Sequence, residues 1–92
     1  MAQAHNASVT STASSASNVT LLADRRGRIG FTVYNDSTQV LYLKYGATAT
    51  TSSYTVQVIA GGFFEDPFGY SGRVDGIWAS ANGNARVTEV FV

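Results

Sequence analysis

Few side chains in this chain are of a type that does chemistry, and their spacing is unhelpful to it. There is one histidine, His5, and no cysteine among 92 residues. Nucleophilic catalysis needs a nucleophile beside a base. The lone histidine lies in a Ser/Ala/Thr-rich stretch, so a Ser-His-Asp or Cys-His site is not expected. Thiolate metal sites and disulfides are excluded outright. The one adjacent acid pair is Glu65-Asp66, and neighbours on a strand point to opposite faces. Asp36 or Asp75 would have to approach through the fold to make a carboxylate pair. Carboxylates also bind calcium, but no loop has the EF-hand spacing. Gly46–Ser52 is small and polar, yet no lysine follows at the spacing of a phosphate-binding loop. The chain is therefore expected to be no enzyme, and to hold no cofactor and no metal.

Binding chemistry has more candidates. Arg25, Arg26 and Arg28 cluster around Gly27. Guanidinium forks grip planar anions bidentately, so the cluster suits a carboxylate or phosphate. The competing reading is a solvated turn with Asp24 as local partner, and it is the stronger one. Trp78 is the sole tryptophan, with core packing as its first expected role and an interface or ligand role as its second. Tyr42 lies in a strand with large apolar groups on both faces, and such an exposed face usually marks an interface. Arg25, Arg26, Tyr42 and Trp78 are the candidate interface residues. Other aromatics, Tyr34, Tyr45, Tyr54, Phe63, Phe64 and Tyr70, suit either a sugar-stacking platform or cross-strand pairs. Three Asn-x-Ser/Thr sequons begin at Asn6, Asn18 and Asn35. They are expected by chance in a chain so rich in Ser and Thr.

The elements that must position these residues are strands. Ile29–Tyr34 and Val40–Tyr45 alternate apolar and polar residues around Asn35-Asp36-Ser37-Thr38-Gln39, a stretch of turn formers. They are expected to be antiparallel neighbours in a hairpin. Phe31 and Val33 should share one face with Ile29, and Leu41 and Leu43 should share one with Tyr45. Asn18–Ala23, Ser53–Ala60, Phe63–Asp66, Gly72–Ser80 and Ala85–Val92 add further strands. Asp66-Pro67-Phe68-Gly69 fits a type I turn. Asn82-Gly83 is the strongest hairpin signal in the chain. About seven short strands without a helical period predict an all-β fold, a single small antiparallel β-sandwich over residues 18–92. Residues 1–17 have almost no large side chain. They predict a flexible arm, either disordered or ordered on a neighbouring subunit.

Bulk properties narrow the partners. Six basic and six acidic residues cancel, so no broad field attracts nucleic acid or an anionic membrane. No apolar run nears the roughly 20 residues that span a bilayer, and the N-terminal stretch lacks the pattern of a secretory signal. Cytoplasmic synthesis is the expectation. A domain this small buries only about 60–65% of its unfolded surface. Disulfides are unavailable, so self-association is the expected means of completing a thin core.

The segments RRGRIGFTVYNDSTQVLYLKYGATAT, SSYTVQVIAGGFFEDPFGYSGRVDGIWAS and ANGNARVTEV resemble a small β-domain that recurs in structural proteins of tailed-phage virions. The resemblance spans about Ala23 to Val90. It is carried by the Arg-Arg-Gly lead into YNDST, by LYLKYG, and by the GIWAS and ANGNARVTE ending. It implies a capsid decoration, or cement, protein on the virion head surface. Such a protein would bind the phage major capsid protein and stabilise joints between its subunits, itself a homo-oligomer and most simply a homotrimer. The alternative is a tail or fibre module that binds host-surface carbohydrate through exposed Tyr and Trp.

Overall fold

The computed structural model describes residues 3–92. They form eight strands and no helix: β1 Asn6–Ala13, β2 Val19–Leu22, β3 Arg28–Asp36, β4 Leu41–Tyr45, β5 Val56–Val58, β6 Phe63–Glu65, β7 Val74–Trp78 and β8 Asn84–Phe91. Two antiparallel sheets of four strands face each other, ordered β1-β8-β3-β6 and β2-β7-β4-β5. Successive strands alternate between the sheets, except that β4 and β5 are neighbours in one. Two four-stranded sheets in this order make the eight-stranded jelly roll.

The alternation of side chains explains the core. Phe31 and Val33 of β3, Leu41 and Leu43 of β4, Val74 and Trp78 of β7, and Ala85 and Val87 of β8 turn inward and are buried. Leu21, Leu22 and Val58 complete the cluster. The expected Ile29–Phe31–Val33 face holds only for the last two. A register shift between Arg28 and Gly30 breaks the period-two pattern, and Arg28 is buried. A bulge of this kind rotates the residues on one side of it relative to the sheet.

Two expected hairpins are corrected. The turn formers after Asn35 do reverse the chain, but β3 and β4 lie in different sheets. Asn82-Gly83 likewise carries the chain from β7 in one sheet to β8 in the other. Gly83 has φ of +85°, and a β-carbon there would come within 2.8 Å of Ser37 Cα. The two crossovers thus pack against each other, and glycine is required where they touch. The long strand expected over Ser53–Ala60 is shorter, with only Val56–Val58 in the ladder.

The expected flexible arm is also corrected over most of its length. Asn6–Ala13 is an edge strand, and each of its residues is paired with one of β8 without a register shift. No apolar face holds it there, since its inward positions are Ser8, Thr10 and Thr12 and no β1 residue joins the core. Backbone pairing does what side-chain burial does not. Ser14 and Ser15 then tie the connection down: Ser14 donates its amide to the Gly83 carbonyl, and the Trp78 amide donates to the Ser15 carbonyl. The first two residues of the expected arm lie outside the described residues.

Candidate functional site

The arginine cluster splits into three fates. Arg28 is a structural clamp. Its Nε donates to Glu89 Oε1 at 3.1 Å, Nη1 to the carbonyls of Gly72 (2.8 Å) and Tyr70 (3.3 Å), and Nη2 to that of Ala23 (2.5 Å). Four partners nearly exhaust its five donors, so little remains for a ligand. Arg25 Nε lies 2.8 Å from the same Glu89 oxygen, and its guanidinium sits 3.9 Å from the centroid of the Phe91 ring. Arg26 is exposed and does not join them. The local partner is therefore Glu89, 61 residues beyond Arg28 in the chain, rather than Asp24.

Trp78 is 1% exposed and belongs to the core. Its expected interface role is corrected, because no face of the ring is open to a partner. Its Nε1 donates to Asn35 Oδ1 at 3.0 Å. Asn35 is itself fully buried. Its Nδ2 faces the carbonyls of Gln39 (2.8 Å), Val58 (2.8 Å) and Ile59 (3.1 Å), and its Oδ1 also accepts from Ser37 Oγ at 2.7 Å. This asparagine joins β3, the crossover to β4, the end of β5 and β7. Sequence reading saw it only as a turn former and sequon residue. The usable signal was a polar residue in phase with Phe31 and Val33. Tyr42 is half-buried on the face of its sheet away from the core, where it meets Tyr54 edge-on with centroids 5.0 Å apart.

Asp66 and Asp75 are used internally. Asp66 Oδ1 accepts from the Tyr45 hydroxyl (2.6 Å) and the Phe68 amide (3.1 Å), and its Oδ2 from the Tyr70 amide (2.8 Å). It thereby fixes the Asp66–Gly69 turn. Burial, then the Asp66 carboxylate, pushes the Tyr45 hydroxyl pKa well above its ordinary value. Tyr45 also gathers Phe31, Phe64, Phe68 and Tyr70, with centroids 4.7–6.2 Å away, into one aromatic end of the sandwich. Asp75 is buried and held by Arg73 (2.7 and 2.9 Å) and by Asn18 Nδ2 (3.0 Å). Among the described residues, no buried side-chain nitrogen or oxygen lacks a partner, and no three of His, Asp or Glu converge on a metal-sized site.

Apolar side chains are also available to a partner. Tyr34 and Phe63 are cross-strand partners on the outer face of β3 and β6. They are 41% and 63% exposed, and Ile59 in the turn before β6 is 67% exposed. Ile59, Phe63, Val56, Val58 and Phe64 line a shallow groove of about 230 Å³ along the open side of the sandwich, where β5 and β6 end the two sheets. A second hollow of about 290 Å³ lies over Gly30 and Thr32. Both fall below the ~300–1,000 Å³ of ordinary small-molecule sites. Large exposed side chains beside a shallow groove suit a protein surface better than a small ligand. Compared with known proteins, the chain matches no family model, no curated protein and no solved structure.

Proposed function

We propose that the chain is a non-enzymatic structural protein of a phage virion. In this reading it decorates the outer surface of the head and stabilises joints between major capsid protein subunits. It acts as a homo-oligomer, for which the sequence resemblance implies a trimer. The observation that supports this is the exposed apolar surface of Tyr34, Ile59 and Phe63 at the β5–β6 side. A chain whose buried polar groups are all committed to its own fold, and which leaves Tyr34, Ile59 and Phe63 exposed together at one side, has the chemistry of a docking module. Jelly rolls occur among viral capsid domains, and also among lectins, so the fold itself is an analogy and no more. The carbohydrate-binding alternative has lost its anchoring residue, since Trp78 is enclosed.

The test is attachment to capsids assembled without this protein, measured by co-sedimentation. The wild-type chain should sediment with them. An Ile59→Ser/Phe63→Ser variant should not, while its melting curve stays close to wild type because both side chains are already exposed. Equal sedimentation of the two proteins would refute the docking role of this surface. Failure of the wild-type chain to attach would refute the decoration role itself.

A further inference from the structure

The four sheet edges are not treated alike. β5 and β6 have three residues each, and β6 carries Glu65; β2 has four and a register shift between Thr20 and Leu22. Short, irregular or charged edges resist pairing with another chain. β1 has eight residues in unbroken register with β8, and NASVTSTA contains no charge, no proline and no glycine. Folded proteins rarely leave such an edge open.

Its hydrogen-bonding groups can be assigned. Ser14 donates to the Gly83 carbonyl in the same register that pairs Ala13 with Asn84. Alternation then turns the backbone of Ser8, Thr10 and Thr12 toward β8 and that of Ala7, Val9, Ser11 and Ala13 outward. The side chains of these four lie on the outer face, and Val9 is 69% exposed.

We infer that β1 pairs antiparallel with β1 of a second copy across a two-fold axis at Thr10. Only another β1 matches this edge in length, since the other edges have three or four residues. Antiparallel pairing requires that outward groups meet outward groups. Placing Val9 opposite Ser11 of the second copy, and Ala7 opposite its Ala13, uses all four residues on each side. It forms about eight backbone hydrogen bonds. Sheet β1-β8-β3-β6 then runs through both copies as one eight-stranded sheet. The contact is isologous and closes at two copies, where the resemblance implies three. The inference rests on the self-association in the proposed function and names the strand responsible.

The axis makes the test specific. Thr10 faces itself in a non-hydrogen-bonded pair, with α-carbons about 4.5 Å apart, within the span a disulfide bridges. Thr10→Cys, in a chain with no native cysteine, should oxidise to a covalent dimer, and Ala7→Cys should not. Ser11→Pro removes an amide that faces solvent in the single chain, where an edge strand tolerates proline. It should stay folded by circular dichroism and lose the dimer. Wild type should show twice the chain mass by light scattering. A dimer that survives Ser11→Pro, or Thr10→Cys that remains monomeric under oxidation, would overturn the pairing. A trimer mass without the Thr10→Cys cross-link would overturn it while leaving self-association intact. A monomer mass at every concentration would overturn both.

Discussion

Replacing Asn35 by alanine removes a buried side chain that joins both sheets through hydrogen bonds. One buried group is orphaned, the Trp78 indole N–H, because the Val58 carbonyl, which loses the Asn35 amide, still faces its ladder partner Leu41. The Gln39 and Ile59 carbonyls lose it too, but both residues lie nearer solvent and water replaces the amide there. An orphaned buried donor costs about 1–3 kcal/mol, so the substitution should cost about that much. That is a large share of the ~5–15 kcal/mol by which domains are stable. At ~4–8 °C per kcal/mol for a domain of this size, the melting temperature should fall by roughly 4–24 °C. Trp78 is the sole tryptophan, so its fluorescence follows unfolding directly in urea. Trp78→Phe removes the donor from the other side, and its unfolding is followed by circular dichroism because the sole tryptophan is gone. If the bond is as described, the double variant should be less destabilised than the two single effects added together. A loss below about 1 kcal/mol for Asn35→Ala would refute the network, since even one orphaned group costs that much.

Two further expectations concern charge. Glu89→Gln leaves the buried Arg28 guanidinium without a compensating anion, and breaking such a pair typically costs about 3–5 kcal/mol. Urea midpoints should show this. The raised pKa of Tyr45 makes stability fall in alkali. Above pH ~10 the unfolded chain releases the tyrosine proton while the folded chain holds it, so rising pH favours unfolding. Urea midpoints between pH 8 and 11 should decline, and Tyr45→Phe should flatten that part of the decline.

Period-two alternation identified the strands and most of the core, because inward Phe31, Val33, Leu41 and Leu43 must be apolar wherever their strands sit. It said nothing about which strands pair. Turn formers at Asn35–Gln39 and Asn82–Gly83 specify that the chain reverses. A tight reversal within one sheet and a crossover between two sheets ask for the same residue types. Only the packing of one crossover on the other, at Gly83 and Ser37, distinguishes them. β1 escaped notice because its stability lies in backbone pairing, which leaves no mark on composition. Arg28 and Glu89, like Trp78 and Asn35, meet across separations that no local window spans. Trp78 was read as core first and interface second, and burial settled it in favour of the first. The sequence marks Phe63 as a strand residue and stacking aromatic and Ile59 as a strand residue alone, and their shared exposure is not legible, since it depends on which strand ends the sheet.

The strand order also bears on when this molecule can fold. The last strand in chain order, β8, is a central strand, lying between β1 and β3. During synthesis β1 and β3 emerge first and have no shared partner until Phe91 has cleared the ribosome. One of the two sheets is therefore assembled only once β8 has emerged, from segments separated by many residues. Until then the inner residues of β3 and the uncharged edge of β1 are open to neighbouring chains. Rapid insertion of β8 thus decides how much of the newly made protein folds and how much aggregates.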